Sequence, residues 1–433
     1  MNELHFLRRR FNENTFLKNV VTLMSGTVFA QFIAMALSPI LTRLYTPEEY
    51  GVFSFYVTIV SLLSVVATGR YEMAIILPKK ENNAINIVFI CMMITSMISI
   101  FCLVMSNIFY NSLNVMFHGE FLAEYLILIP VFVFFTGCYQ TYYYWSNRQK
   151  DYKTMSLSRV VQSFTNTFGG IGLGVLGSGA LGLILSQVLG LILSVMYLLF
   201  KVKNLNIKGF KSALNRRKIR ENLYQYKDFP LYNSFHALLD MGLSSGLFFL
   251  IGYYYGNMVL GYYAFTWRVL KAPLSIIGTA ISQVYVQRAN EYYQQGLNVT
   301  SLLMSIIKKL TMLALPIFLI IFIWGEELFR IVFGAEWGET GKIAELLTPW
   351  LFLNFIASPI AQTYVIFNRQ KKALVFAIFQ TTLFLVSVMV MGNFNVDATI
   401  LFRVVSVIGS VTTIIFGLWI FLIAKENDRE SLR

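Results

Sequence analysis

Long apolar stretches, separated by short polar segments, run along the whole chain. Several exceed ~18 residues, the length that an α-helix needs to cross the ~30 Å hydrocarbon core of a bilayer. Dividing the chain at Pro, Gly, Asn and clusters of charge therefore predicts twelve membrane-spanning helices. Their predicted ranges are 20–42, 50–77, 84–109, 121–145, 155–176, 180–200, 229–254, 260–286, 302–324, 343–367, 373–392 and 396–424.

The composition agrees with this pattern. Hydrophobic residues make up 56% of the chain and charged residues only 13%, whereas about 25% charged residues is usual in soluble domains. Cys91, Cys102 and Cys138 are isolated from one another in apolar segments, so their spacing provides neither a disulfide framework nor a metal site. The sequence predicts an all-α polytopic membrane protein without a bound metal.

The positive charge of the chain falls mainly on one side of the predicted membrane. The 433 residues carry 35 Lys and Arg against 22 Asp and Glu, a net charge of +13. With the N-terminus inside, the outer loops hold Arg43, Arg330 and Lys342, and most of the other basic residues lie in inner loops and tails. Basic loops stay in the cytoplasm, so both termini are predicted there. The charge is an orientation signal, and no nucleic-acid partner is expected.

Two sequence matches indicate an internal duplication. The Asn-Arg-Gln-Lys segment at 147–150 recurs at 368–371, each time closely after a Gln-Thr-Tyr. A weaker match relates 45–55 to 255–265, with Tyr, Gly and aromatic residues in the same order. Because the matching spans lie six helices apart, they have the same orientation in the membrane. The halves are therefore predicted to be parallel repeats, related by an axis along the membrane normal.

The duplication divides the chain into two six-helix lobes. We predict an N-terminal lobe at 1–200 and a C-terminal lobe at 229–433, joined by a basic cytoplasmic linker at 201–228. The linker is predicted to lie on the inner membrane face, where each cation near anionic lipid contributes about 1 kcal/mol. The fold class is thus two pseudo-symmetric lobes of about twelve transmembrane helices around a central cleft.

Polar side chains follow single faces of several predicted helices. Asn233, His236 and Asp240 share one face of the seventh helix, and Arg268 and Lys271 begin a polar face on the eighth. The tenth predicted helix has a polar face of Asn354, Ser358 and Gln362. Charged groups in hydrocarbon cost several kcal/mol unless they face a cavity or a partner, so these faces predict a hydrated cleft. The predicted substrate-binding cations of this cleft are Arg70, Arg159, Arg268, Lys271 and Arg403.

These cations outnumber the predicted intramembrane acids, which favours an anionic substrate. Structural bonding to helix ends is an open alternative for Arg159 and Arg403. Glu72, His236 and Asp240 are candidates for ion coupling or for charge balance. The sequence separation of Arg70 and Glu72 predicts that they point to different helix faces and form no local pair.

Catalytic and nucleotide-binding motifs do not account for this sequence. Gly172, Gly174 and Gly177 form G-x-G-x-x-G, but within an apolar span and without a preceding strand, which favours close helix packing. A phosphate-binding G-x-x-x-x-G-K-[S/T] motif is missing. The chain is therefore not expected to be an enzyme. The aromatic run 142–145 is interpreted as an interfacial belt.

Several motifs resemble a known family. The segment Leu41-Thr42-Arg43-Leu44-Tyr45-Thr46-Pro47-Glu48-Glu49-Tyr50-Gly51, with Ser25-Gly26-Thr27 before it and Arg70-Tyr71-Glu72 and Leu77-Pro78 after it, is similar to Wzx-type polysaccharide flippases. These belong to the multidrug/oligosaccharidyl-lipid/polysaccharide exporter superfamily. Tyr263-Ala264-Phe265, Arg268, Pro273 and Ile281-Ser282-Gln283-Val284 extend the similarity into the second half.

The resemblance implies a twelve-helix, two-lobed transporter of undecaprenyl-diphosphate-linked oligosaccharide. It would act in the bacterial cytoplasmic membrane by alternating access, for O-antigen, capsule or exopolysaccharide assembly. The resemblance implies functional roles for Arg70, Glu72 and Arg268, which lie in the matching motifs. Membrane lipids are expected partners, and contacts with a polysaccharide polymerase and chain-length machinery are left open. No cofactor is expected, although a proton or sodium gradient is an open source of energy.

Two alternatives belong to other functional classes. An ion-coupled multidrug exporter of the same superfamily is disfavoured because such proteins usually favour cationic or amphipathic substrates, which a cationic cleft does not suit. A membrane-embedded glycosyl transferase or polymerase is disfavoured because the chain has no large acidic extramembrane loop or soluble domain.

Overall fold

The computed structural model describes residues 26–116, 125–201, 214–367 and 369–431, and the regular secondary structure of these residues is helical. The α-helices are α1 Gly26–Ala36, α2 Ser38–Leu44, α3 Pro47–Ser64, α4 Glu81–Met116, α5 Leu128–Arg148, α6 Tyr152–Val175, α7 Gly179–Lys201, α8 Arg216–Gln225, α9 Ser234–Thr266, α10 Ala272–Gln294, α11 Val299–Phe333, α12 Gly338–Ile360, α13 Thr363–Ile366, α14 Gln370–Asn393 and α15 Ala398–Ser431.

Six helical stretches in the described residues are long and apolar enough to cross a membrane, and a seventh is formed by α1 and α2 if that pair, bent by 41°, is one span. Each predicted span coincides with one of these stretches or with a shorter or interrupted helix at the same place. The prediction of an all-α polytopic membrane protein is confirmed.

The second predicted span is not one helix. Instead of running from 50 to 77, α3 ends at Ser64, and a separate 3₁₀ segment covers Tyr71–Ile76. Gly69 and Arg70 between them have φ values of 58° and 60°. A right-handed helix cannot continue through left-handed residues, and this conformation costs Arg70 about 1 kcal/mol or more because its Cβ crowds the backbone. The 3₁₀ segment is therefore an element separate from α3.

Two irregularities mark the part of the chain that holds the seventh and eighth predicted spans. α9 contains a kink at Gly256, where φ is 79° and ψ is 175°. Further along, Trp267–Lys271 forms a π-helical turn, here called the π segment, between α9 and α10. Pro273 is the second residue after this segment, and it lacks the N–H that would bond to the carbonyl of Val269 within the turn. The predicted eighth span is therefore the end of α9, the π segment and α10.

The chain forms two compact units. Unit 1 comprises Met1–Tyr45 and Val52–Ser245, and unit 2 comprises Thr46–Gly51 and Gly246–Arg433. The first residues of α3 therefore belong to unit 2. The division into lobes at 1–200 and 229–433 with a linker at 201–228 stays a prediction.

In unit 1, the 3₁₀ segment and α4 share a core with the end of α5. Ile75, Ile87, Cys91 and Trp145 are all fully buried in it. The interpretation of 142–145 as an interfacial belt is therefore wrong for Trp145, which faces the protein interior. Because α5 is long enough to bring its last turn against the 3₁₀ segment, packing decides the position of this indole.

The described part of the predicted linker contains the basic helix α8, which packs on the same core. Asn215 caps it by accepting hydrogen bonds from the backbone N–H groups of Arg217 and Lys218, and the Asn215 N–H donates to Asn86 Oδ1 at 3.0 Å. Ile219 and Leu223 of its apolar face pack against the unit 1 core. This apolar face is therefore occupied by protein.

In unit 2, the first turn of α3 crosses the second part of α9 at two glycines. A Cβ added to Gly51 would lie 1.7 Å from the carbonyl oxygen of Asn257, and one added to Gly261 would lie 1.8 Å from the carbonyl oxygen of Pro47. Only glycine permits such contact between backbones. Next to the crossing, the Tyr50 ring packs edge-on against Phe265 and Trp337, with centroids 5.4 and 5.1 Å away.

Candidate functional site

Arg70 and Glu72 form an ion pair in unit 1, with Arg70 Nη1 3.7 Å from Glu72 Oε1. The prediction that they point to different faces is wrong, because they do not lie on one continuous helix: Arg70 is left-handed and Glu72 begins the 3₁₀ segment. The Glu72 side chain is 1% exposed and accepts a hydrogen bond from Thr68, whereas Arg70 is 24% exposed. The pair therefore presents its cation to the surface and keeps its anion inside.

Arg148, from the first copy of the repeated Asn-Arg-Gln-Lys motif, secures the other end of the 3₁₀ segment. Its Nη1 donates to the carbonyl oxygens of Ile75 and Ile76, at 3.0 and 3.2 Å. In the second copy Arg369 lies 3.9 Å from a carboxylate oxygen of Glu426. The motif copies thus make different contacts. Sequence reasoning assigned Arg148 to orientation alone, although its recurrence in a motif was a signal of a further role.

Arg159 lies on α6, half-buried within unit 1. Its Nη1 donates to Thr27 Oγ1 at 2.8 Å, and its guanidinium carbon lies 5.1 Å from the ring centroid of Tyr143. Tyr143 belongs to the aromatic run interpreted as an interfacial belt, and its ring lies against the Arg159 guanidinium. The neighbouring Tyr144 interacts electrostatically with Glu72 and Arg70. Tyr143 and Tyr144 of the aromatic run on α5 are therefore neighbours of Arg159 and of the Arg70–Glu72 pair, respectively.

Arg268 and Lys271 both lie on the π segment of unit 2, but their surroundings differ. Arg268 is exposed, and its charge acts on Tyr50. Lys271 is half-buried, and its Nζ lies 3.9 Å from the ring centroid of Trp267. Because a π turn holds an extra residue, it changes the direction of the side chains on either side of it. Here it separates the aromatic packing of α9 from the polar face of α10.

Lys271 lies at one end of a cavity of about 200 Å³ between α10 and α12, here called the unit 2 pocket. Half of its described lining residues are polar but uncharged, and α10 and α12 contribute equally, with Lys271 and Gln362 lying outside these two helices. The described lining residues are Lys271, Leu274, Gly278, Thr279, Ser282, Leu351, Asn354, Phe355, Ser358 and Gln362. Both polar faces are visible in the sequence, but the cavity that they line depends on how the two helices pack.

Arg403 is exposed on α15, in unit 2. Its charge acts on Asp397, which precedes the helix and accepts a hydrogen bond from the Thr399 N–H at 2.7 Å. Hydrogen bonding to Thr399, and to a smaller extent the charge of Arg403, lowers the pKa of Asp397. At 1.5 Å per residue, Arg403 lies roughly 9 Å from this helix end. It is outside the described lining of the unit 2 pocket.

The predicted site residues therefore fall into separate groups. Arg70 and Glu72 form one pair, Arg159 bonds to Thr27, and both sets belong to unit 1. Arg268, Lys271 and Arg403 belong to unit 2. The side chains of His236 and Asp240 lie outside the described residues. A single cationic cleft uniting all these cations stays a prediction.

The comparisons with known proteins agree with this architecture. A family model described as "Polysaccharide biosynthesis protein" matches residues 40–342, which is more than half of the chain. The chain belongs to this polysaccharide biosynthesis family. The comparison with curated proteins found no match.

Among solved structures, the chain has the fold of transporters of the MOP superfamily. An inward-facing multidrug resistance MATE family transporter is 14% identical with a TM-score of 0.68, covering 92% of this chain and 95% of its own. The lipid II flippase MurJ, inward closed, is 14% identical with a TM-score of 0.65, covering 94% and 90%. A MOP superfamily transporter from Pyrococcus furiosus is 15% identical with a TM-score of 0.52, covering 94% of each chain.

Proposed function

We propose that the chain is a flippase for undecaprenyl-diphosphate-linked oligosaccharide repeat units. It moves them across the cytoplasmic membrane by alternating access, in which the substrate site opens to one side at a time, for O-antigen, capsule or exopolysaccharide assembly. Both termini lie in the cytoplasm. Membership of the polysaccharide biosynthesis family supports the pathway, and the fold shared with a lipid II flippase is compatible with the activity.

The observation that carries the proposal is Lys271 beside the hydroxyl and amide groups of the unit 2 pocket, in the eighth predicted span, with Arg268 on the same π segment. Cations are costly in hydrocarbon, so their presence beside uncharged hydrogen-bonding groups is best explained by an anionic and polyhydroxylated substrate. The diphosphate of the lipid carrier supplies the negative charge and the oligosaccharide supplies the hydroxyl groups.

The test uses a strain from which this gene has been deleted. Deletion should remove surface polysaccharide and leave the lipid-linked oligosaccharide inside, and the wild-type gene should restore export. Arg268→Ala should abolish restoration at a normal membrane level of the protein. The matched control is Lys309→Gln, which removes an exposed cation of α11 and should restore export fully.

Two outcomes contradict the proposal. Normal surface polysaccharide in the Arg268→Ala strain would show that Arg268 of the π segment is not needed for transport. Unchanged polysaccharide in the deletion strain, together with increased drug susceptibility, would instead favour an ion-coupled multidrug exporter.

A further inference from the structure

The unit 2 pocket presents two facing stripes of side chains. On α12, Asn354 and Ser358 are four residues apart and lie on one helix face, and Gln362 follows just beyond the end of this helix. On α10, Gly278 and Ser282 are separated by the same step. Amide and hydroxyl groups both donate and accept hydrogen bonds. The pocket therefore offers neutral partners of both kinds along its length, which is the complement of a ligand that also donates and accepts.

The charge of the pocket argues against a diphosphate as its main occupant. Lys271 is the charged residue among the described lining residues, and it lies at the π-segment end of α10. A diphosphate diester carries more than one negative charge, and a buried charge without a counter-charge is strongly disfavoured. Neutral hydroxyl groups need no counter-charge when they are buried. The occupant that fits is a sugar ring, with a phosphoryl group beside Lys271.

The shape of the pocket agrees with a ring-sized ligand. Its volume of about 200 Å³ would hold roughly six water molecules at ~30 Å³ each. Gly278 keeps it open, because a Cβ there would lie 3.2 Å from Ser358 Oγ. Phe355 and Leu351 add apolar surface beside the polar stripe of α12, which suits the C–H groups of a sugar.

We propose that the unit 2 pocket holds a sugar residue of the lipid-linked oligosaccharide and is a specificity-determining site. Asn354, Ser358, Gln362 and Ser282 bond its hydroxyls, and Lys271 contacts the phosphoryl group next to it. This inference rests on the proposed function. A site built to bond hydroxyl groups discriminates strongly against ligands that lack them, because its own polar groups would then be left unpaired.

The test compares two lipids on the purified full-length protein. Ser358→Cys replaces one atom in the pocket, and the rate at which a maleimide modifies this cysteine is measured. The ligands are undecaprenyl diphosphate alone and the same lipid carrying the oligosaccharide, extracted from membranes of the producing strain. We expect the oligosaccharide-bearing lipid to slow modification about tenfold and the bare lipid to have little effect.

Two variants control for other causes. Gln287→Cys lies on α10 beyond Ser282 and is exposed, so both ligands should leave its modification unchanged. The native Cys91, Cys102 and Cys138 are buried, and the unsubstituted protein sets the background. Since Ser358→Cys could alter folding, Ser282→Cys provides a second reporter from the opposite helix.

The outcomes separate this inference from the proposed function. Binding of each lipid is scored independently by the shift of the melting temperature. Equal protection by both lipids would assign the pocket to the diphosphate and overturn the sugar site. Binding of the oligosaccharide-bearing lipid without protection of either cysteine would also overturn it, while the flippase proposal stands. Absence of any binding would overturn both.

Discussion

Gly51 and Gly261 make reciprocal contacts at the crossing of α3 and α9. Gly51 faces the carbonyl of Asn257, and Gly261 faces the carbonyl of Pro47. Gly51 and Gly261, like Pro47 and Asn257, are separated by the same offset that relates the matching segments 45–55 and 255–265. Such reciprocity is the signature of a two-fold contact, in which residue i meets j and j meets i. The structure therefore supports an internal duplication at this crossing.

Alanine at either glycine should destabilise the protein. Gly51→Ala and Gly261→Ala each place a Cβ less than 2 Å from a carbonyl oxygen, and backbone cannot move aside as a side chain can. Overpacking costs about 1–3 kcal/mol or more, which lowers the melting temperature by several degrees. Thermal unfolding in detergent measures it.

Gly172→Ala is the matched control for the crossing. Gly172 lies in α6, and a Cβ there would meet nothing within 4 Å, so the predicted close helix packing is wrong at this glycine. Alanine is favoured over glycine in a helix by about 1 kcal/mol, so this variant should be neutral or more stable. A similar loss of stability in all three variants would show that the loss in Gly51→Ala and Gly261→Ala does not come from close packing at the crossing.

The buried ion pair of unit 1 predicts a non-additive response to mutation. Glu72→Leu should destabilise the protein by about 1–3 kcal/mol, because it leaves Arg70 without its counter-charge in a partly dry site. Arg70→Leu should also destabilise, since it strands the buried carboxylate. The double variant should lose less than the sum of the two. Additive losses in a double-mutant cycle of unfolding would mean that the pair does not couple.

Arg159→Lys tests whether geometry matters as well as charge. Lysine keeps the positive charge but loses the planar group that bonds to Thr27 and covers the Tyr143 ring. We expect a loss of about 1–2 kcal/mol in unfolding free energy. Arg217→Lys, on the exposed face of α8, should change stability by less than about 0.5 kcal/mol. Equal stability of the Arg159→Lys protein and the wild type would show that only the positive charge of Arg159, and not its planar shape, contributes to stability.

The docking of α8 can be measured by hydrogen exchange. Asn222 is buried and donates to the Asn83 carbonyl at 3.3 Å, and Tyr71 donates to the Leu223 carbonyl at 3.0 Å. Asn222→Ala should therefore increase the exchange of the α8 amides about tenfold, while Arg216→Ala on the exposed side should leave exchange nearly unchanged. Rapid exchange of α8 in the wild type would contradict stable docking.

Most of the helices could be predicted because hydrophobicity is a local property of the sequence. The apolar runs of α4, α7, α14 and α15 are uninterrupted, and their ends follow from polar residues and glycines. The end of α3 could not be predicted, since a left-handed Arg70 depends on its contacts with Glu72 and on the packing of the 3₁₀ segment. The chemistry of that site therefore depends on tertiary structure.

Individual residues of the site could be predicted from the sequence, but the way in which they come together in space could not. Helical spacing identified the polar faces of α10 and α12, because periodicity is visible in the letters. That both faces line one pocket depends on how the two helices pack, and the contact of Arg159 with Tyr143 depends on a neighbouring helix in the same way. Side chains that meet across helices leave no local signal.

The π segment sets the direction in which the side chains of α10 point, and it therefore determines which of them line the unit 2 pocket. Each residue of an α-helix advances the direction of its side chain by about 100°. Thr266, just before the π segment, is fixed by its hydrogen bond to the Thr340 carbonyl, so the phase of α10 is set by the number of residues that follow. Deleting one residue from this turn, such as Val269, would rotate Gly278 and Ser282 by about a quarter turn away from Ser358. An insertion or deletion in the π segment would thus change which residues of α10 face the pocket, although none of the present lining residues is substituted.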